Sequence, residues 1–389
     1  MQSNFLLSIV IATHNRQKYA VYAIESILKY TSENVEVVVS DSSDIPNTKE
    51  FEDLLRVNRN NARLKYHHHS QRLSMTENYN YAVDAASGEF ICLIGDDDCV
   101  SPDISEFVSL MKIREIRVLT PKIITTYSWP DFITQVWGDK HAGNIYIDKY
   151  SGVWEKRNSK KQLDLALSNA CQGTDELPKL YHGIVQRKLL LEIKDRIGDY
   201  FFGISPDISS SISIASMTDH YYIIDYPLTI PGASGGSNTG RSALNKHRGS
   251  LDDDEHIKPF KNLMWDDRIP RFFSVETTWS QAAIETLTKF SIEDKFNFER
   301  LMSLCFINHN DYKEKINFSI NYCNENGSNV TSFGIFFEGV RIRLLRIKAI
   351  IKRLKNPQPN AGKVTITNSN NILQAMDKYT AYLEKKNRR

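Results

Sequence analysis

The sequence predicts an α/β fold, a Rossmann-like, mainly parallel sheet flanked by helices, with a helical C-terminal extension. Short apolar runs alternate with helix-spaced segments over the first hundred or so residues, each run closes in polar residues, and helix-like patterns dominate from about Lys258 onward. Alternation of this kind implies parallel strands joined by right-handed crossovers. The 389 residues are about two to three times a typical ~150-residue domain, so two domains are expected.

Leu6 to Ala12 is a nearly continuous run rich in Ile and Val, as in a strand covered on both faces, and the polar Thr13-His14-Asn15-Arg16 stands at its end. Ligands of α/β sheets bind at such carboxyl ends. Tyr19 to Tyr30 carries Ala20, Ala23, Ile24, Ile27 and Leu28 at helical spacing, and the β-rich run Val35 to Val39 ends in Ser40-Asp41-Ser42-Ser43-Asp44. A third strand near Leu64 to His67, a helix from about Met75 to Ala86 and a fourth strand, Phe90 to Ile94, continue the alternation. Beyond Asp103 it loosens, with β-rich pieces expected near Val118 to Thr125 and Phe132 to Val136, and a helix near Gln162 to Ala170. Pro231 to Glu255, rich in Gly, Ser and charge, is expected to be a long mobile loop. The first domain accordingly spans 1–245, and a mostly helical region spans 246–389.

Hydrophobic residues at 41% against 25% charged describe an ordinary globular protein and exclude disorder as the whole story. Lys+Arg 49 against Asp+Glu 47 leaves +2, too balanced for a nucleic-acid coat, so no nucleic acid is expected as a partner. Five scattered cysteines without a C-x-x-C pair fit a reducing compartment. With no basic residue before its short N-terminal apolar run and no stretch of ~18 apolar residues, the protein is expected in the cytoplasm.

The densest chemistry lies at Gly95-Asp96-Asp97-Asp98, three adjacent carboxylates where an apolar strand runs out. Like charges so close repel, and a hard divalent cation resolves the conflict by taking carboxylate oxygens together with those of a substrate diphosphate. The acidic triplet Asp252-Asp253-Asp254 follows a Gly/Ser/basic loop instead, and a solvated turn is expected there.

Ser8 to Arg16 with its T-x-N-R turn, Val37 to Asp44 with its acidic turn, and Gly95 to Asp98 as a D-x-D region occur in order. Together they resemble the family 2 nucleotide-sugar glycosyltransferases of the GT-A fold, of the bacterial surface-polysaccharide type. The resemblance covers roughly residues 5–105 well and 175–235 more loosely. It implies a metal-dependent inverting transfer of a sugar from a nucleotide sugar to a glycan or lipid-linked glycan acceptor. Thr13, Asn15 and Arg16 then hold the nucleotide, Asp41 accepts the imide N–H of uracil, and Arg72 and Asn78 lie beside the nucleotide sugar. Mg²⁺ or Mn²⁺ is held by Asp96 and Asp98, with Asp97 toward the ribose. Gly95 replaces the first residue of the usual D-S-D-D, which leaves the register within the triplet open by one position.

Asp207 follows Pro206 at the start of a helix-like stretch through Ala215, where an acid either caps the helix or serves as the family's general base. Asp207 is the candidate base, with Asp175 and Glu176 in reserve. His182 either orients the diphosphate or acceptor or is a structural residue. Val340 to Lys355 interleaves cations with aliphatics and contains no acid. Such a helix either lies in an anionic membrane interface, placing the protein at the inner face of the cell membrane, or docks on the catalytic domain with its cations solvated. A non-catalytic nucleotide-sugar or glycan-binding protein is the alternative function. A dehydrogenase is disfavoured, because the first strand-to-helix turn lacks G-x-G-x-x-G. Oligomeric state is open.

Overall fold

The computed structural model describes residues 5–174, 176–237, 240–241, 248–251, 257–260 and 263–387. The N-terminal alternation runs β1 (Leu7–Thr13), α1 (Gln17–Tyr30), β2 (Val35–Asp41), α2 (Lys49–Val57), β3 (Leu64–His68), α3 (Met75–Ala85), β4 (Phe90–Ile94), β5 (Cys99–Val100) and α4 (Ile104–Ile113). It continues through β6 (Val118–Pro121), β7 (Thr125–Ser128), β8 (Asn144–Ile147), β9 (Trp154–Asn158), α5 (Ser159–Ser168), β10 (Ile184–Gln186), α6 (Arg187–Ile197), α7 (Pro206–Met217), β11 (His220–Ile224), β12 (Thr229–Ile230) and β13 (Gly232–Ala233). The main sheet has the order β3-β2-β1-β4-β10-β6-β11-β9. Its β1/β2, β1/β4, β2/β3 and β6/β11 pairs are parallel, and β4/β10, β6/β10 and β9/β11 are antiparallel.

Successive side chains of a strand point to opposite faces, and β1 shows what this does to a nearly continuous apolar run. Leu7, Ile9 and Ile11 enter one core with Ala20, Ala23, Ile24 and Ile27 of α1. Val10 enters the other with Tyr79, Ala82 and Val83 of α3, so the strand is buried on both faces and its one inner polar residue, Ser8, needs a partner. At the opposite end of the sheet the buried Glu36 accepts hydrogen bonds from Ser8 Oγ (2.5 Å) and from the Ser87 N–H (2.7 Å), tying the turn before β4 to β1 and β2.

The C-terminal part holds β14 (Arg248–Gly249), β15 (Phe273–Ser274), α8 (Val275–Phe290), α9 (Phe298–Asn308), α10 (Lys313–Glu325), α11 (Ser332–Leu354), β16 (Val364–Ile366) and α12 (Ile372–Asn387). A third core joins α5, α7, α8, α9 and α10 through residues such as Leu163, Ile208, Ile212, Ala283, Leu301 and Ile316. Helix α7 serves two of the three cores, with Ile214 against the sheet and Ile208 and Ile212 against the helices. All five cysteines are buried free thiols.

Three expectations change. Phe132 to Val136 forms turns with one isolated bridge, Thr134 to Gly138, and joins none of the sheets. Gly232–Ala233 is a strand parallel to Tyr127–Ser128, not the start of a mobile loop, and Asp252 to Asp254 lie outside the described residues. The chain also crosses back over the expected boundary at 245. β16 pairs antiparallel with β8, and Ile372, Ala375, Met376 and Tyr379 of α12 enter the same core as β1 and α1. A detached tail would show no such packing. Met376→Ala, at a site 1% exposed, is therefore expected to cost about 2–5 kcal/mol in chemical denaturation of the whole N-terminal unit. An unchanged midpoint would mean that α12 is not part of that core.

Candidate active site

The carboxyl ends of β1 and β4 open into a cavity of about 380 Å³ whose wall includes Thr13, Arg16, Asn78, Asp96, Asp97 and Asp207. A larger cavity of about 570 Å³, beside Leu163, Arg196 and Phe290, contains none of the expected site residues, so chemistry rather than size singles out the first.

Because β4 is buried to its last residue, the turn after Ile94 folds inside the protein, and Asp96, Asp97 and Asp98 are exposed by 5%, 5% and 1%. Carboxylates this buried stay ionised only with donors or cations beside them. Asp96 Oδ2 accepts from Thr13 Oγ1 at 2.7 Å, and its two oxygens accept from Arg16 Nε at 2.8 and 3.0 Å. Asp97 Oδ2 accepts from Ser234 Oγ at 2.5 Å and pairs with Arg16 Nη2 at 2.9 Å. One guanidinium thus bridges two carboxylates. Burial works against the charge on Arg16, but Asp96 and Asp97 outweigh it and raise its pKa. Burial, followed by the charge of Asp98, pushes the Asp97 carboxyl up to about 7.

Asp98 faces inward. Its Oδ2 accepts from the Gly95 N–H at 2.6 Å and the Tyr181 O–H at 3.0 Å, with His182 Nε2 at 3.1 Å, and its Oδ1 accepts from the Gly232 N–H at 2.7 Å. Burial pushes its pKa up, yet His182 and the two backbone donors prevail and hold it below the ordinary carboxylate range. Expected as a ligand, Asp98 has oxygens already filled by donors from three segments. Gly95 is required by the same packing, since a Cβ there would stand 2.9 Å from Asp98 Oδ2 and 3.0 Å from the Tyr181 hydroxyl. Among the described residues no three His, Cys, Asp or Glu side chains gather to hold a metal by themselves.

At α7 the N-cap is Ser205 and Pro206 opens the helix, so Asp207 sits in the first turn and not at the cap. No side-chain hydrogen bond to its carboxyl occurs among the described residues. Burial raises it to about 6, with His182 and Lys179 opposing and Asp98 reinforcing. The same carboxylates, Asp207 and Asp96 to Asp98, add to burial in raising the Tyr79 hydroxyl well above its ordinary value.

The other expected residues divide. Asn78 follows a capping box in which Ser74 and Glu77 satisfy each other's backbone N–H. Its Nδ2 donates to the Thr13 carbonyl at 3.0 Å, which fixes the amide's orientation and leaves the buried Oδ1 beside the cavity without a partner among the described residues. Arg72 lines the cavity as well. Asn15, in the left-handed region at φ 57°, joins the turns after β1 and β2 by donating from Nδ2 to Asp44 Oδ1 at 2.6 Å. Asp41 is fully buried and accepts from Ser43 N–H at 2.9 Å and Tyr66 O–H at 3.0 Å. His182 lies behind Asp98, not on the cavity wall. Glu176 pairs with Arg157 at 3.7 Å away from the cavity, and Asp175 lies outside the described residues.

Sequence reading missed Gly232, Ser234 and Trp129. β12 pairs antiparallel with β5 directly after the triplet, and β13 then passes so close that a Cβ on Gly232 would stand 1.8 Å from the Asp97 carbonyl oxygen. That carbonyl accepts from Trp129 Nε1 at 2.9 Å. The glycine cluster at 232–236 was the available signal, since glycine within a strand often marks close backbone approach.

Residues 8–202 match the family model described as Glycosyl transferase family 2. The chain is 30% identical over 101 residues to Glycosyltransferase GlyG of Streptococcus pneumoniae, covering 26% of this chain and 33% of that one. It is 33% identical over 93 residues to the GalNAc(5)-diNAcBac-PP-undecaprenol beta-1,3-glucosyltransferase of Campylobacter jejuni, covering 24% and 29%. The match thus spans about a third of the length of these curated relatives. S. aureus TarS 1-349 in complex with UDP-GlcNAc aligns with a TM-score of 0.46 at 17% identity over 81% of this chain and 78% of that one.

Gly232→Ala is expected to separate β13 from the triplet and cost at least about 1–3 kcal/mol in denaturant unfolding. Gly249→Ala, where an added Cβ meets nothing within 4 Å, should stay within about 0.5 kcal/mol of the parent. Equal effects at the two glycines would remove the close approach as the cause.

Proposed function

Because the chain belongs to glycosyl transferase family 2, we propose that it is an inverting glycosyltransferase. It moves a sugar from a nucleotide sugar, a UDP-sugar first among them, to a glycan or lipid-linked glycan in surface-polysaccharide synthesis. The observation that carries this reading is one cavity lined by the acid pair Asp96 and Asp97 and by a separate carboxylate, Asp207, from another element. The Campylobacter relative, named for an undecaprenol-diphosphate-linked glycan, supports the acceptor class.

The reaction is a single displacement. An acceptor hydroxyl oxygen attacks the anomeric carbon, its proton passes to Asp207, and the bond from that carbon to the diphosphate oxygen breaks with inversion. An isolated carboxylate raised to about 6 suits the task, being ionised at neutral pH and more basic than an exposed aspartate. Thr13 and Arg16, on the cavity wall, would meet the donor's diphosphate, and Asn78 Oδ1, unpartnered among the described residues, would accept from a nucleotide N–H or hydroxyl. Asp41 and Asn15 shape the β2 turn on the nucleotide side.

Two carboxylates on the cavity wall, one of them raised to about 7 by burial and by the charge of Asp98, fit the donor set of a hard cation completed by substrate oxygens. Asp97 and Asp96 would hold Mg²⁺ or Mn²⁺, and Asp98 would support their turn from behind. The cation, when bound, neutralises the departing diphosphate.

Thermal shift across nucleotide sugars with Mn²⁺ tests the donor class, since a ligand of the folded state raises the melting temperature by mass action. No shift with any nucleotide sugar would overturn the reading. Asp207→Asn is expected to lower transfer by roughly 10²–10⁴-fold while donor binding persists; unchanged transfer would remove Asp207 as base and favour a binding protein. The base must be ionised, so with its pKa raised to about 6 the parent's rate should fall as pH drops through that value. That inflection should be absent from the residual rate of Asp207→Asn.

A further inference from the structure

Helix α11 is attached to the protein by one end and one side. Arg300 of α9 and Glu338 form a buried ion pair at 3.0 Å, and of the 23 residues of α11 only Glu338, Gly339 and Ile342 are buried. At 3.6 residues per turn Phe333, Phe337, Val340, Leu344, Ile347 and Ile351 fall in one stripe, roughly 80° wide, on the side facing directly away from Ile342. These six side chains are 78%, 61%, 39%, 55%, 52% and 54% exposed. Arg341, Lys348 and Lys352 run along one border of the stripe and Arg343 along the other. No acid occurs from Gly339 to Lys355, which contains seven cations. Among the described residues only Arg341 of these cations is paired with a carboxylate, Glu338 at 3.4 Å.

An apolar stripe this exposed needs a cover. A second copy seated on it by twofold symmetry would set the same cations against each other, since such an interface presents one patch to itself. An anionic bilayer satisfies both parts, with acyl chains for the stripe and headgroup phosphates for its borders. No described helix is long and apolar enough to cross a membrane, so the contact is interfacial. We infer that α11 lies in the plane of an anionic membrane surface and anchors the protein there, with Phe333 to Ile351 in the acyl boundary and the flanking Arg and Lys on lipid phosphates. This inference does not rest on the proposed sugar transfer.

The test is co-sedimentation of the full chain with phosphatidylglycerol–phosphatidylcholine vesicles and with phosphatidylcholine vesicles alone. Expected are binding to the anionic vesicles, weakening with added salt, and a loss of about tenfold or more in the double variant Ile347→Asp/Ile351→Asp. Arg343→Gln/Lys348→Gln should lose the preference for anionic lipid. All four positions are off the buried side, so an unchanged thermal melt of each variant separates lost binding from lost fold. Absence of the parent from the vesicle pellet would overturn the inference, as would equal binding of the Asp variant. So would a lipid-free dimer that the Asp variant dissociates, which would make a second copy the cover. Nucleotide-sugar thermal shifts should be the same in parent and variants, so failure here leaves the donor reading intact and failure there leaves this one intact.

Discussion

The buried Asp98 carboxylate is the contact around which the candidate site is assembled. Three chain segments far apart in sequence each send it a donor: the turn after β4 through Gly95, the approach to β10 through Tyr181 and His182, and β13 through Gly232. An ionised group taken out of water is costly unless its lone pairs are filled, so each segment is held to the position that fills one. The cavity floor is therefore a consequence of satisfying one charge. Asp96 and Asp97, its neighbours, can then face the cavity with a single guanidinium between them.

A second constraint comes from α7. It packs on the sheet by Ile214 and on the C-terminal helices by Ile208 and Ile212, so the turn carrying Asp207 is gripped from two cores. The helical region after residue 263 is in this sense part of the site without touching the cavity chemistry. The return of β16 and α12 to the N-terminal core closes the chain on itself and leaves α11 as the segment with its long side uncovered.

Much of the fold was legible because the determining physics is local. The run Leu6 to Ala12 can be buried on both faces only as an inner strand, and Phe90 to Ile94 followed by three acids announces a strand end beside a charged cavity. Thr13, Arg16, Asn78, Asp96, Asp97 and Asp207 do meet on one wall. Phe132 to Val136 has strand composition yet folds into turns closed by the Thr134 to Gly138 bridge, and strand formation is not decided by composition alone. The Gly/Ser stretch at 231–236 reads as a loop because glycine is equally suited to a turn and to close approach. Only the position of the Asp97 carbonyl distinguishes them.

Periodicity and charge spacing, which are properties of neighbouring residues, were enough to specify the α/β alternation and to put three aspartates at the end of a buried strand. Only the tertiary structure decided which of the three adjacent aspartates looks outward. Asp98 is turned inward by donors arriving from residues 181, 182 and 232, and no local rule encodes where a distant donor will end up.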